Sequence, residues 1–270
     1  MARKRVQNVV WKEWEVIFTD LNSALIVTLL PLLIVGQGAL YIWLASVFGG
    51  ESILSVSVFQ TALGKLAAVM PQIAPLDTET QFRILLLNQF SFFLLLIPIM
   101  IGVNVATFSI VDEKVTGSLE ALLATPVRTG ELLLGKALAG AVPALVITWI
   151  SAGIFLLVVV AMGWGELVGF VLTPSWFISL FLLTPAVVLL SFTLGVVGSS
   201  RAKDAKNAQN FAVLIILPVL ALIGVQVTGQ VWFTSLWSVV LALGIGVIDY
   251  VALKGAVRLF QRESILIQWH

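Results

Sequence analysis

The stretch ALAGAVPALVITWISAGIFLLVVVAMGWG, residues 137–165, carries no charged side chain. About 20 apolar residues in a helix cross the ~30 Å of bilayer hydrocarbon, so this run is more than long enough for one crossing. Four other intervals are equally free of charge: residues 21–50, 84–111, 167–200 and 207–248. They account for a composition of 60% apolar and 11% charged residues in a chain of 270, with mean hydropathy +1.08. A water-soluble globule of that composition would lack the polar surface to cover itself. The chain is therefore predicted to be an all-α polytopic membrane protein, a single transmembrane domain over residues 1–270.

The first four intervals each fit one helix. The fifth is long enough for two, turning near residues 228–232, where Gly229 and Gln230 interrupt the apolar run. Six transmembrane helices are expected: Ala24–Phe48, Ile84–Val111, Leu132–Met162, Trp176–Ser200, Phe211–Val227 and Trp232–Leu253. An even number of crossings places both termini on one side, together with residues 112–136 and 201–210. That side holds all of the 15 Lys and Arg residues except Lys65 and Arg83. Basic residues accumulate on the cytoplasmic side, so both termini are expected there. The first apolar run is too long for a signal-peptide core and lacks a small-residue cleavage site, so it is expected to remain as an anchor.

Charge and cysteine usage exclude several classes. A net charge of +1 leaves no basic surface for nucleic acid. The absence of cysteine removes disulfides, thiol nucleophiles and thiolate metal sites, and the one histidine is His270.

Ahead of the first span lies VWKEWEVIFTDL, residues 10–21. At about 100° per residue, Val10, Trp11, Trp14, Ile17, Phe18 and Leu21 fall within an arc of about 120°, leaving Lys12, Glu13, Glu15, Thr19 and Asp20 around the rest. This predicts an amphipathic interface helix against membrane lipids, with Trp11, Trp14 and Phe18 at headgroup depth. It serves either as an anchor or as a surface that also touches a cytoplasmic partner. Between the first two spans, Ile53, Val56, Gln60, Leu63, Ala67 and Met70 keep helical spacing and predict a small amphipathic lid. Pro31, Pro98, Pro143, Pro185 and Pro218 fall inside spans, and each removes a helical hydrogen bond, so bent helices are expected.

The first inner loop has a pattern of its own. Val115, Leu119, Leu122, Leu123 and Pro126 follow i, i+4, i+7, i+8, i+11 spacing, a short helix with one apolar face that Thr125-Pro126 ends. Thr129 then caps a second helix running into the third span. Within it, GELLLGKA, residues 130–137, has the two glycines and the lysine of a phosphate-binding loop. That loop needs Ser or Thr where Ala137 stands, and it follows a strand, whereas three leucines here lead directly into a membrane helix. Gly130 and Gly135 are read as positions that start and pack a helix, and no nucleotide site is expected in this chain.

The run GSLEALLATPVRTGELLLGK, residues 117–136, resembles the signature of permease subunits of type-2 ABC exporters. In that family a glutamate-rich turn, a G-[ST]-L-E-x-L-L-x-[TS]-P helix and an E-L-x-x-G-K helix occupy the first inner loop. The N-terminal amphipathic helix, the six spans and the tail RLFQRESIL extend the resemblance over most of the chain. The short outer segments depart from members that carry large extracellular domains. The resemblance implies a short cytoplasmic coupling helix with Glu113, Gly117, Leu119, Glu120, Leu122 and Pro126 as its ATPase-coupling surface. It also implies two copies of a separate ABC ATPase subunit, which would bind ATP and Mg²⁺, while this chain itself would hold no cofactor or metal and would not be an enzyme. The permease would form a homodimer, or pair with a homologous permease, in the plasma (inner) membrane of a prokaryote. It would export its cargo by alternating access.

Other functions fit the residues less well. An ion-coupled transporter usually places ionisable groups at mid-membrane. Apart from Lys136 at the inner mouth of the third span, only Asp249 lies within a predicted span, close to its inner end. An intramembrane hydrolase needs a nucleophile with a base, a carboxylate pair or a metal, and the spans offer no His, Cys or carboxylate pair. A structural subunit of a membrane complex is a further alternative. The polar and aromatic residues available along the spans, Asn88, Gln89, Asn104, Thr107, Trp149 and Phe155, suit a hydrophobic or amphipathic cargo such as a drug, a lipid-like molecule or a peptide.

Overall fold

The computed structural model describes residues 2–49, 55–117, 129–201, 217–218, 220–222, 224–226 and 234–259. Helix α1 (Ala2–Thr19) is followed at once by α2 (Leu21–Phe48), the first span. The joint is Asp20, whose carboxylate accepts a 2.7 Å hydrogen bond from the Ser23 N–H and caps α2. A cap of this kind satisfies an amide that the first helical turn leaves without a partner.

Four helical stretches are long and apolar enough to cross a membrane: Ser23–Phe48, Gly130–Ala161, Pro174–Ser199 and Ser235–Val257. The expected second span, Ile84–Val111, is not one helix but two, α4 (Thr78–Phe93) and α5 (Leu96–Val115). Pro98 has no N–H to offer the Leu94 carbonyl, and its ring crowds that oxygen. The backbone therefore tightens, with the Leu95 and Ile97 amides donating to carbonyls three residues back, Phe92 and Leu94, at 3.0 and 3.2 Å. Most of the expected fifth span, Phe211–Val227, lies outside the described residues, and those described between 217 and 226 are helical. The number of crossings thus stands at four long spans, the broken α4–α5 pair and this partly described segment.

The third span is α6 (Thr129–Ala161), continuous through Pro143, as α2 is through Pro31. A short helix, α7 (Val168–Val171), leads to the fourth span, made of α8 (Pro174–Ile178), a π-helical turn (Ser179–Leu183) and α9 (Thr184–Arg201). Pro185 explains the π turn. The Thr184 amide reaches back five residues to the Ser179 carbonyl, which also accepts from Thr184 Oγ1 at 2.8 Å. The last described helix is α10 (Ser235–Leu259).

Helix α3 (Ser57–Val69) lies where the spacing puts it, and Leu63, Ala67 and Met70 of the expected face pack inward, but its first turn faces differently. It buries Ala62, Leu63 and Leu66 against Phe82 and Leu85 of α4, while Val56 and Gln60 are exposed. Phe59, outside the expected face, meets Phe82 edge-on at 5.4 Å and packs on the same cluster. Deeper in the bundle α9 packs most extensively on α5 and α10. Gly195 permits the first of these contacts, because a Cβ there would lie 2.8 Å from the Ala106 Cβ. Phe90 of α4 stacks on the fully buried Phe155 of α6 at 4.2 Å. Leu33, Leu40 and Phe48 of α2 and Leu243, Val247 and Val251 of α10 are exposed, as expected of faces that meet lipid.

Candidate functional site

Glu13, Trp14 and Ile17 stand at i, i+1 and i+4 on α1 and share the face that packs on α6. Gly135 makes the fit possible. A Cβ there would fall 2.7 Å from Val9 Cβ and Cγ1 and 3.3 Å from the Val6 carbonyl, so the two backbones meet only because residue 135 has no side chain. Trp14 Nε1 donates to the Ala139 carbonyl at 2.9 Å and fixes the register one turn further along.

The next residue, Lys136, has a side chain only 2% exposed and sits between two buried carboxylates. Its Nζ lies 2.9 Å from Glu13 Oε1 and 2.9 Å from Glu113 Oε2 in the last turn of α5, the second an ionic contact rather than a directed hydrogen bond. It also donates to Ser109 Oγ, which in turn donates to Glu13 Oε2 at 2.6 Å. Lys12, half-exposed at the rim, donates to Glu113 Oε1 at 2.8 Å and lies 3.7 Å from Glu13. Arg5 and Glu131, 3.4 Å apart, extend the line of charge toward the start of α6. Two carboxylates and two ammonium groups thus balance, with each buried charge facing an opposite one.

Burial alone would raise the Glu13 carboxyl, but Lys136, Ser109 and Lys12 outweigh it and hold the group below the usual carboxylate range. Burial would lower Lys12, yet Glu113 and Glu13 keep its ammonium above the ordinary lysine value. At neutral pH both groups are ionised. A crevice of about 240 Å³ lies beside them, lined by Lys12, Glu13, Asp20, Asn104, Ser109 and Glu113 among others. The cluster has the chemistry of a latch, not of catalysis, since every charged group is committed to another. It joins α1 to the two helices that enter and leave residues 118–128. Among the described residues no group of His, Cys, Asp and Glu could hold a metal.

The sequence profile described as ABC-2 family transporter protein matches residues 7–247, which take in most of α1, both arms of the latch and about half of α10. The chain belongs to the ABC-2 transporter family. Comparison with curated proteins gives no match. It is accordingly a type-2 ABC permease subunit, a multi-pass transmembrane component.

The expected site residues of this permease are distributed unevenly. Glu113 faces inward, into the latch, and Gly117 is exposed with φ +69°. Leu119, Glu120, Leu122 and Pro126 lie outside the described residues. Trp11 and Phe18 are exposed, and Trp14 is tucked under Trp11, ring centroids 5.4 Å apart. The residues expected along a cargo path do not converge on one cavity. Asn88 donates to the Ile84 and Phe170 carbonyls at 2.9 and 3.3 Å, Asn104 to Met100 at 2.7 Å, and Trp149 Nε1 to Leu180 at 3.1 Å. The Thr107 side chain is outside the described residues. Sequence reasoning did not find the roles of Lys12, Glu13 and Ser109. The available signal was Lys136, a cation at the mouth of an apolar span, which must find a counter-charge if it is buried.

Proposed function

We propose that this permease is the membrane half of an ATP-driven exporter whose motor is a separate soluble ABC ATPase bound in two copies. It works as a homodimer or with a homologous permease, both termini in the cytoplasm, in the plasma membrane of a prokaryote. The buried Glu13–Lys136–Glu113 latch carries the reading. A force applied at residues 113–126 would be felt at once by α1, α5 and α6, because Lys136 ties all three and cannot part from either carboxylate without leaving a buried charge unpaired. Closure of the ATPase pair would push on this assembly and rock the helices from one access state to the other. ATP and Mg²⁺ stay with the partner, and this chain supplies the path and the lever. Its cargo is hydrophobic or amphipathic, in keeping with a bundle whose interior offers amides, hydroxyls and aromatic rings.

The test is co-purification of the permease with a Walker-motif ATPase, followed by ATPase assays in proteoliposomes. Changing Glu120 or Leu122 to Ala should uncouple ATP hydrolysis from the permease while leaving α1 docked. Glu13→Gln should weaken the coupling by loosening α1. An ATPase activity indifferent to all three changes would refute the lever, and ATP hydrolysis by the permease alone would refute the division of labour.

A further inference from the structure

One face of the first span repeats every seven residues. On α2, Leu33, Gln37, Leu40, Leu44 and Val47 follow one another at alternating steps of four and three, and all five are exposed. Half-buried Ile26 and Leu30 continue the rhythm toward the start of the helix. A period of about 3.5 residues is that of the a and d positions of a left-handed coiled coil. Gln37 then occupies a central a position, where a single polar residue sets the register and the number of strands.

Against lipid, Gln37 is out of place. It stands near the middle of Ser23–Phe48, at a depth where hydrocarbon tails offer neither hydrogen bonds nor water. Among the described span residues no other Asn or Gln side chain is exposed. Its Nε2 donates to Tyr41 Oη at 2.8 Å, which uses one of two amide hydrogens and leaves the amide oxygen to be satisfied from outside the chain. A second feature of the same face is independent of the first. Gly36 and Tyr41 flank the seam at g and e, positions that meet across a parallel pair, so the residue with no side chain stands opposite a bulky one. A Cβ at Gly36 would meet nothing within 4 Å inside one copy, so packing within the chain does not call for glycine there. Small residues that let backbones approach, and amides that bond across helices, mark helix contacts inside membranes.

We infer that α2 pairs with the α2 of a second copy of this chain, in parallel about a two-fold axis along the membrane normal, with the two Gln37 amides bonded to each other. Two copies inserted alike present the same face to one another. A primary amide is its own complement, one hydrogen and one oxygen from each side, whereas a lipid tail covers the leucines and leaves Gln37 without a partner. This rests on the reading that the permease works as a homodimer and names the surface that joins it.

The experiment is disulfide cross-linking of single-cysteine variants in liposomes, the chain having no cysteine of its own. Leu33→Cys, Leu40→Cys and Val47→Cys should give covalent dimers. Leu25→Cys and Leu32→Cys, exposed on the same helix but off the seam, and Leu243→Cys on α10 should not. Gln37→Leu should weaken dimerisation about threefold to thirtyfold, read by single-molecule photobleaching across a range of protein-to-lipid ratios. Gln37→Asn, which keeps the amide, should lose less. Because Gln37 is exposed, the Leu variant should unfold with wild type at the lowest ratio, where both are single. Dimers linked through α10 or the off-seam positions but not through the seam, or dimers that Gln37→Leu leaves as tight as wild type, would overturn the inference and leave a paired permease standing. A chain that stays single at every ratio would sink the homodimer reading as well.

Discussion

Replacing Lys136 by Met removes the buried cation between two buried carboxylates, with little change in side-chain volume. At an effective dielectric of about 20, each 2.9 Å contact is worth about 6 kcal/mol of gross attraction. Desolvation of the ammonium offsets several kcal/mol of that, and breaking a buried pair from one side costs about 3–5 kcal/mol net. Lys12 cannot take over. It is half-exposed and already engaged with Glu113 at 2.8 Å, and it stands 3.7 Å from Glu13. Lys136→Met should therefore be among the most destabilising single changes at this end of the bundle. Adding Glu13→Gln should recover much of the loss, because the remaining Glu113–Lys12 pair is again neutral and the glutamine amide oxygen still accepts from Ser109. The assay is thermal unfolding in nanodiscs, followed by size-exclusion recovery after heating, for wild type, Lys136→Met, Glu13→Gln and the double variant. A Lys136→Met protein as stable as wild type, or a double variant no better than Lys136→Met, would refute the latch.

The Glu13 carboxyl is depressed in the folded protein, so its contribution is full above its ordinary value near 4.5 and is lost as pH falls through the lower folded value. Wild type should lose its thermal-stability margin over Glu13→Gln only in that acid window, and an unchanged margin at low pH would count against the assignment. Gly135→Ala places a methyl 2.7 Å from Val9 and should cost about 1–3 kcal/mol by overpacking. Because the chain has no native cysteine, the resulting displacement of α1 is read as reduced cross-linking between Arg5→Cys and Glu131→Cys. Pro98→Ala restores an amide that can donate to Leu94. Hydrogen exchange at residues 94–98 should slow if proline causes the α4–α5 break, and stay fast if tertiary packing does.

Much of this architecture is legible in the order of residues, and its limits are physical. Spans are easy to find because a bilayer demands long apolar runs whatever the neighbours are, and the first, third, fourth and last described spans lie close to their expected ends. The broken second span was harder to read. Pro31 and Pro143 sit in continuous helices while Pro98 and Pro185 force a tightened turn and a π turn, so proline identity does not decide between a break and a bend. The helix between the first two spans was found by spacing and its C-terminal half given the right face, with Leu63, Ala67 and Met70 packed inward, whereas Val56 and Gln60 are exposed and Phe59 turns in to meet Phe82, a contact invisible along one helix.

The sequence by itself settled that this chain lives in a membrane, that it is helical, and that it resembles the ABC-2 permeases to whose family it belongs, because hydrophobic length and a local motif are properties of neighbouring residues. Only the tertiary structure decided that Glu13, among the polar residues of an amphipathic wheel, turns inward to a lysine more than a hundred residues away. Charge pairing and hydrogen-bond satisfaction act over a few ångströms in space, and no spacing along the chain records which groups folding will bring that close.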